Sequence, residues 1–565
     1  MVKTSKPLVS ERKKLPSNIT ACDRVRKYQP GIFHAEDGLL FCSSCNVVLD
    51  HLRKATIDRH LESESHKRNA EKRSQSSKQH KQYTLKTVLN CNTPAKEEKI
   101  KICQEWIRVC TAADIALNKS NNFYVREFLK SRVSNGGAIP RCSQLRDYYF
   151  FDVYQIERAE MKEKVKDKRV ALMVDELSDD EGRYVLDVMV VLLDFDELSP
   201  KGKTIAYLLD SHFLSSTNKT VSQAVVHTVT DYGIAFDDVR VFSSDNVAYM
   251  KKAFCETLSC IYPHCVHITC HSHIVNLVAS DFKKSFKEAT EFVKCFRNLF
   301  IPSGRKSRFI NFLKSSLGPG EKVTMAPNPT TKIWSAWFDS VLYHADRYLM
   351  FKDFVAEEIS RSRGTASNSL IRLEEMYVDE AFLKKLHAQL SFLKVKTPTL
   401  MMYLNYFQQR MPRATQAHNK MESLLQYLGA NSSLQDKDLD YCFEGDLNFT
   451  SKEKRAMLTQ FNSAFTAAQD KLHKYVIEGG QPAADFLKQV RMIDPRNLTG
   501  TISEGFGSMN IIPGFGAVSR SEWELYFSVI GPLAVKESRD GELDLKLFWK
   551  SNARDLPDLY KLASR

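Results

Sequence analysis

Cys42-Ser43-Ser44-Cys45 is followed by fourteen residues, then His60, five more residues and His66. No other feature constrains the fold of the amino-terminal region as strongly. Two thiolates on a tight turn and two imidazoles on a following helix can close a tetrahedron around Zn²⁺. Two intervening residues let the cysteine pair span one turn. His60 and His66 are six positions apart, so the helix must loosen before the second imidazole. Leu52 and Ile57 are available to pack beneath the metal. Arg53, Lys54 and Arg59 are left for a solvent-facing or phosphate-facing side. The alternative is two surface cysteines and two incidental histidines, and four ligands of two types in finger order argue against it.

Charge points to a polyanionic partner. The chain carries 81 Lys+Arg and 68 Asp+Glu, a net of +13 over 565 residues. The first hundred residues hold 20 of those bases against 11 acids, so most of the excess lies in less than a fifth of the chain. Lys67-Arg68 follows the last histidine directly, and Lys72-Arg73, Lys78 and Lys81 come next. Each phosphate neutralised by such a run releases counterions, the sequence-independent part of DNA binding. The same run reads as a solvated linker, and the two roles are compatible. It also has the composition of a nuclear-import signal.

Bulk properties exclude other classes. No apolar stretch approaches the ~20 residues of a membrane span. The opening Met1-Val2-Lys3-Thr4-Ser5-Lys6-Pro7 has no apolar signal region, which argues against secretion. Thirteen cysteines without a disulfide-like cadence fit a reducing compartment. The nucleus is the expected location, with double-stranded DNA as partner and no membrane.

Further along, Ile100, Ile102, Trp106, Ile107 and Cys110 form an amphipathic stripe, and a second helix at 124–132 stops at Asn135-Gly136-Gly137. A small helical module with Trp106 in its core is expected. From Lys168 the texture changes. Strands are expected at 170–174, 184–193, 204–209, 239–242 and 265–269. Helices are expected at 221–229, 248–259 and 271–282. Three early strands followed by strand–helix alternation is the order of a ribonuclease-H-like α/β sheet. Residues 283–490 are mostly helical in period. Five glycines over 497–520 suggest an irregular loop, and the chain ends in helix.

Asp175 is expected to end the first of these strands, and Asp245 follows the fourth. Strands placed side by side would bring the two to one sheet edge, where paired carboxylates can hold two Mg²⁺ ions for phosphoryl chemistry. An Asp at a strand end is otherwise a cap or turn former, the role expected of Asp179, Asp180 and Glu181. Cys270 and His273 have no obvious further ligands beyond His264 and His267, and are expected to pack and cap.

These residues carry two family resemblances. The segment from about Thr20 to Arg146 resembles the CGG triplet repeat-binding proteins, DNA-binding nuclear factors. The matching words are Leu40-Phe41-Cys42-Ser43-Ser44-Cys45-Asn46-Val47-Val48-Leu49, then His60, His66, Cys91-Asn92, Asn135 to Pro140, and Gln144-Leu145-Arg146. Residues 147–565 resemble the hAT-superfamily transposases, whose ribonuclease-H-like catalytic domain carries a large helical insertion. By that resemblance the first catalytic Asp is Asp175 and the second is Asp245, followed by Asn246. The Cys-x-x-His motif is Cys270-His271-Ser272-His273, and the insertion Trp motif is Trp334-Ser335-Ala336-Trp337. Two departures follow. Ile333 stands where the family has Arg. The family's third carboxylate, a Glu in a helix beyond a Phe-Trp-Lys…Leu-Pro-x-Leu segment, has no counterpart after Phe548-Trp549-Lys550 and Leu556-Pro557-Asp558-Leu559. Ser521-Glu522 is the nearest lookalike.

The expected fold class is multi-domain α+β. It comprises a disordered basic tail (1–20), a zinc finger of the C2H2 or BED type with its basic linker (21–82), and a small helical module (83–155). A ribonuclease-H-like α/β core (156–285), a helical insertion (286–490) and a carboxy-terminal part lacking the final Glu helix (491–565) follow. The expected function is zinc-dependent binding of CGG-rich duplex DNA, with transcriptional regulation, by a protein of transposase origin. The sites are Cys42, Cys45, His60 and His66 for Zn²⁺, and Arg53, Lys54, Arg59, Lys67, Arg68, Lys72 and Arg73 for DNA. Asp175 and Asp245 form an incomplete catalytic pair that retains the option of Mg²⁺. An active DNA transposase and a protein-interaction scaffold remain the alternatives, and homo-oligomerisation through the transposase-like region is compatible with all three.

Overall fold

The computed structural model describes residues 19–36, 38–45, 47–76, 94–197, 203–215, 217–301, 303–318, 320–329, 335–362, 364–443, 449–499, 501–537 and 543–564. The expected tail over 1–18, the linker residues Lys78 and Lys81, the Cys91-Asn92 of the resemblance, and Ile333-Trp334 lie outside them. The chain divides into two units, Met1–Val153 and Tyr154–Arg565.

In the first unit, α1 (Ala21–Val25) starts on a reciprocal cap between Thr20 and Asp23. Three short antiparallel strands follow: β1 (Phe33–Glu36), β2 (Leu39–Cys42) and β3 (Val47–Leu49). Strand alternation sends Phe33, Leu40, Cys42 and Leu49 to one side, where they pack with Ala21 and with Ile57 of α2 (Lys54–Glu62). Leu52 does not join them. It is 44% exposed, on a bend whose carbonyls at His51 and Leu52 accept from the buried Arg24 guanidinium at 2.6 and 2.9 Å. The chain bends there to satisfy Arg24, so Ile57 alone of the expected pair supports the cluster. α3 (Glu64–Ser76) then begins after a break at Ser63.

The helical module of this unit has α4 (Pro94–Ala112), α5 (Phe123–Arg132) and α6 (Cys142–Tyr148) around Cys103, Ile107, Leu129, Ile139 and Leu145. Trp106 is half-buried against this core, and its Nε1 donates to Ser120 Oγ at 2.8 Å. The turn after α5 requires glycine: a Cβ at Gly136 would lie 2.1 Å from the Leu129 carbonyl oxygen. α7 (Phe150–Val165) follows.

The second unit holds a five-stranded sheet of β4 (Val170–Ser178), β5 (Tyr184–Leu192), β6 (Ala206–Phe213), β7 (Val239–Ser244) and β8 (Val266–Thr269). Its order is β6-β5-β4-β7-β8. The first three strands are antiparallel, whereas β7 runs parallel to β4 and β8 parallel to β7. Helices α8 (Asn218–Asp231), α9 (Ala248–Ala253) and α10 (His271–Lys283) alternate with the later strands. Val221, Val225 and Val229 of α8 join Leu172, Val174, Leu186 and Val188 in one core. Asp175 does not end β4. Pairing with β5 continues three residues further, to Ser178 opposite Tyr184, because Leu177 and Val185 keep the antiparallel ladder going. Asp179 then serves the turn, accepting from the amides of Glu181 and Arg183.

A helical array follows: α11 (Lys287–Asn298), α12 (Ser303–Ser316), α13 (Ala336–Ala345), α14 (Phe351–Ser362), α15 (Asn368–Val378), α16 (Glu380–Gln408), α17 (Ala414–Ala430), α18 (Asp436–Phe443), α19 (Ser451–Val476) and α20 (Ala484–Val490). Its core is aromatic, with Phe286, Phe292, Phe296, Phe351, Phe392 and Phe461 in one cluster. The buried Gln481 side chain pairs with the outer side of β8, accepting from the Thr269 amide and donating to the Thr269 carbonyl, both at 2.8 Å. It supplies the bonds an additional strand would make. Gln481→Ala would leave both groups buried and unpaired, so a loss of about 1–3 kcal/mol in unfolding free energy is expected in a urea titration.

Residues expected to form an irregular glycine-rich loop instead hold α21 (Ile502–Ser508) and short 3₁₀ turns at Met509–Ile511 and Phe515–Ala517. α22 (Arg520–Leu525), α23 (Gly531–Glu537), α24 (Leu545–Ser551) and α25 (Pro557–Ala563) follow. They enclose Trp523, Tyr526, Trp549 and Leu559. Among the described residues no helix is long and apolar enough to cross a membrane.

Candidate metal centre and nucleic-acid interface

Cys42 ends β2 and Cys45 lies on the turn into β3, so the hairpin presents both sulfurs together. His60 comes from the last turn of α2 and His66 from the first turn of α3. One ligand atom from each of these four residues lies within 4.8 Å of the other three. Both sulfurs are 3.4 Å from His66 Nδ1. Metal–ligand distances of ~2.3 Å to sulfur and ~2.0–2.1 Å to nitrogen give tetrahedral edges of roughly 3.6 Å. His60 Nε2 is buried without a hydrogen-bond partner, an atom that a cation would satisfy. The four residues thus form a cluster able to hold a metal ion such as zinc.

Two further residues shape this cluster. Ser63 leaves helical geometry (φ −67°, ψ 140°). Its hydroxyl donates to the His60 carbonyl at 2.7 Å and accepts from the His66 amide at 3.2 Å. It therefore ends one helix and caps the next, which is how a six-residue histidine spacing is accommodated. Asn69 Nδ2 donates to Cys45 Sγ at 3.5 Å, an outer contact of the kind that orients a ligand. Neither residue stood out in the sequence, although a Ser between two helical histidines was a readable cap signal.

Burial, with His66 beside it, holds the His60 imidazole below its ordinary range. Burial also pushes the Cys42 thiol up, with Cys45 adding to the shift and backbone amides opposing it. The folded finger therefore favours neutral His60, while the unfolded chain takes up a proton below about 6.5. Stability then rises with pH across that range and declines on acidification through it.

The expected DNA-contact residues line the two helices. Arg53 occupies the N-cap of α2 without a side-chain cap, and the first turn of α2 has no acid. This contrasts with the reciprocal cap of α1. Free amides and cations at one helix start suit a phosphate rather than stability. Arg53, Lys54, Arg59, Lys67 and Arg68 are all exposed. Lys54 lies 3.7 Å from Asp58 and Lys67 lies 3.1 Å from Glu64, solvent-exposed pairs that cost little to exchange. Lys72 and Arg73 fall on α3.

In the second unit, β4 and β7 pair as far as Met173 and Ser243. Asp175 lies two residues further along β4, and Asp245 lies two residues further, directly after the end of β7. Burial raises the Asp245 carboxyl, with Asp175 and Glu176 adding to the shift and His273 opposing it. Asp245 Oδ1 and Asn246 Oδ1 are buried without hydrogen-bond partners. Cys270 and His273 interact with each other, and that bond raises the His273 imidazole with Asp175 and Asp245 contributing. His267 is occupied separately, by Ser244 Oγ at 3.0 Å. The structure also places Asp187 directly opposite Asp175, accepting from Ser211 Oγ at 2.6 Å. An acid inside the apolar run of β5 was the available signal. Glu522 is far from being a free carboxylate: it is buried and accepts from the Leu559 amide at 2.8 Å, capping α25.

The family described as the CGGBP1 N-terminal domain matches residues 15–72, and that described as the CGGBP1 helical domain matches residues 93–152. CGG triplet repeat-binding protein 1 of Mus musculus is 43% identical over 152 residues, which are 27% of this chain and 90% of that protein. Its Homo sapiens counterpart is 42% identical over the same shares. Both matches join the metal cluster to the helical module within one unit, and this chain belongs to the CGG triplet repeat-binding protein family.

Proposed function

We propose that this chain is a zinc-dependent DNA-binding protein that engages CGG-rich duplex in the nucleus and regulates transcription there. The observation that carries the reading is the convergence of Cys42, Cys45, His60 and His66 at the junction of two helices, the first led by Arg53 and Lys54 and the second carrying an excess of base. When bound, Zn²⁺ would fix α2 and α3 against the hairpin. Arg53 and Lys54 would meet phosphate at the uncapped start of α2, and Arg59, Lys67 and Arg68, with Lys72 and Arg73 beyond them, would extend that contact. The target follows from what the relatives are named for, the CGG triplet repeat. Two of every three bases on one strand of CGG repeats are guanines, and arginine pairs with guanine O6 and N7 in the major groove. The reading is tested by the salt dependence of binding to CGG-repeat duplex. Lys67→Ala with Arg68→Ala should weaken binding to every duplex and reduce the log–log salt slope by about 0.9 per lost contact. An unchanged slope would remove these residues from the interface.

A transposase origin for the second unit is favoured by one specific arrangement, the sheet order β6-β5-β4-β7-β8 with Asp175 and Asp245 at neighbouring strands. We read that order, with its two acids, as supporting a ribonuclease-H-like sheet. Asp175 and Asp245 would be the holders of Mg²⁺, which supplies Lewis-acid chemistry at phosphate. Incubation with transposon-end DNA and Mg²⁺ or Mn²⁺ separates a retained enzyme from a binder. A binder leaves the strands intact, whereas cleavage abolished by Asp175→Ala establishes the enzyme.

A further inference from the structure

α5 has a built start and a buried side. Asn122 Oδ1 accepts from the amides of Tyr124 and Val125 at 3.0 and 3.4 Å, and Leu129 is buried in the module core. Its other side is unusual. Phe123, Tyr124 and Phe128 are 68, 79 and 59% exposed. The first two rings meet edge to face, with centroids 5.5 Å apart. A helix in a soluble unit normally turns such rings inward, and exposed clusters of them mark a binding surface.

Charge selects the partner. α5 carries Arg126, Lys130 and Arg132 against Glu127 alone. Lys130 and Arg132 are exposed and form no ion pair among the described residues. An apolar protein surface docking here would desolvate both cations without return. A nucleic-acid strand supplies a phosphate for each cation and a base for each ring. Bases within a duplex are already stacked on one another, so the rings can be used only by unpaired ones.

We propose that α5 is a second nucleic-acid interface, which stacks unpaired bases on Phe123, Tyr124 and Phe128 and takes backbone phosphate on Lys130 and Arg132. The inference rests on the nucleic-acid reading of the chain but not on the metal cluster. The helical module thereby holds strand regions that have left the duplex, while the finger holds the duplex itself.

The test uses the full chain and a single-stranded oligothymidylate carrying 2-aminopurine, which does not pair with itself and whose fluorescence is quenched by stacking. Saturable quenching is expected. Tyr124→Ala with Phe128→Ala should weaken it roughly ten- to a hundredfold per stacked base. Tyr124→Phe should retain it, because stacking needs the ring and not the hydroxyl. These side chains bury little, so the thermal unfolding of the variants should match the parent. Cys42→Ser should lose CGG-duplex binding and keep the quenching, which separates failure of this interface from failure of the finger. Equal quenching by the alanine variant overturns the proposal. So does a dimer that the alanine variant converts to monomer with oligothymidylate binding intact, which would assign the face to a second copy. A proportionate loss of duplex binding would also overturn it.

Discussion

Cys42→Ser is expected to unfold the amino-terminal finger and to abolish metal-dependent duplex binding. The first unit's finger has a small core, with Ala21, Phe33, Leu40, Cys42, Leu49 and Ile57 as its buried apolar members. So few groups cannot offset the conformational entropy of ordering some fifty residues, since each costs about 1–2 kcal/mol. Structural Zn²⁺ contributes about 10–16 kcal/mol in finger peptides, so metal binding and folding are expected to be one event here. Removing one sulfur leaves three ligands and a distorted shell. The expected result is loss of helical circular dichroism over 54–76 in the isolated matched segment, and loss of stoichiometric zinc in the full chain. Chelation of the parent protein should reproduce both effects, and restoring zinc should reverse them. A variant that retains zinc and helix would show that the cluster is not what holds the finger.

Glu358→Ala is expected to cost the helical array about 3–5 kcal/mol, the penalty of leaving a buried charge without its partner. Glu358 of α14 is 2% exposed. It accepts from Arg305 Nε at 3.2 Å and from Arg308 Nε and Nη2 at 2.5 and 2.6 Å. Arg305 is itself buried, with further bonds to the Leu299 carbonyl and Ser367 Oγ. The bond from Arg308, with the charges of Arg308 and Arg305, holds the Glu358 carboxyl below its ordinary range against the effect of burial. The pair's contribution is thus present above the unfolded carboxylate pKa of about 4.3 and disappears as pH falls through the folded value. The check is a denaturant titration at neutral pH, with the parent and variant converging on acidification. Parallel curves at all pH values would contradict the ionic origin of the effect.

Most of the metal cluster was legible because ligation imposes residue type and order together. Four residues of two kinds rarely fall in finger order by chance. Ser63 and Asn69 were less visible, since a serine break and an asparagine–sulfur contact depend on where the helices lie. Leu52 was misplaced for a related reason: Arg24, twenty-eight positions earlier, takes the local carbonyls and turns the side chain out. In the second unit, β-branched runs marked the strands and their sequence order. Asp175 looked terminal because the apolar run stops there, yet the antiparallel ladder depends on partners in β5 that no local window contains. The glycines near 505 suggested a loop. At Gly505 the added Cβ would lie 3.1 Å from Met492, 3.2 Å from Trp523 and 3.4 Å from Phe527, so small size there serves packing inside α21 rather than chain freedom.

The two acids of the sheet illustrate the limit of motif reading. Asp175 of β4 faces Asp187 of β5 across the antiparallel ladder, and Asp245 follows the end of the neighbouring strand β7. The strand reading and the resemblance both pointed to Asp175 and Asp245, whereas Asp187 became visible only through its pairing across the β4–β5 ladder.

The most direct measurement is fluorescence anisotropy of CGG-repeat duplex and of a scrambled duplex at one fixed salt concentration. It is made on the full chain as loaded with zinc, after chelation, and after zinc is returned. Tight binding that favours CGG, its loss on chelation and its recovery with zinc are the predicted results. Equal affinity for both duplexes, or affinity untouched by the chelator, would contradict zinc-dependent recognition of CGG-rich DNA.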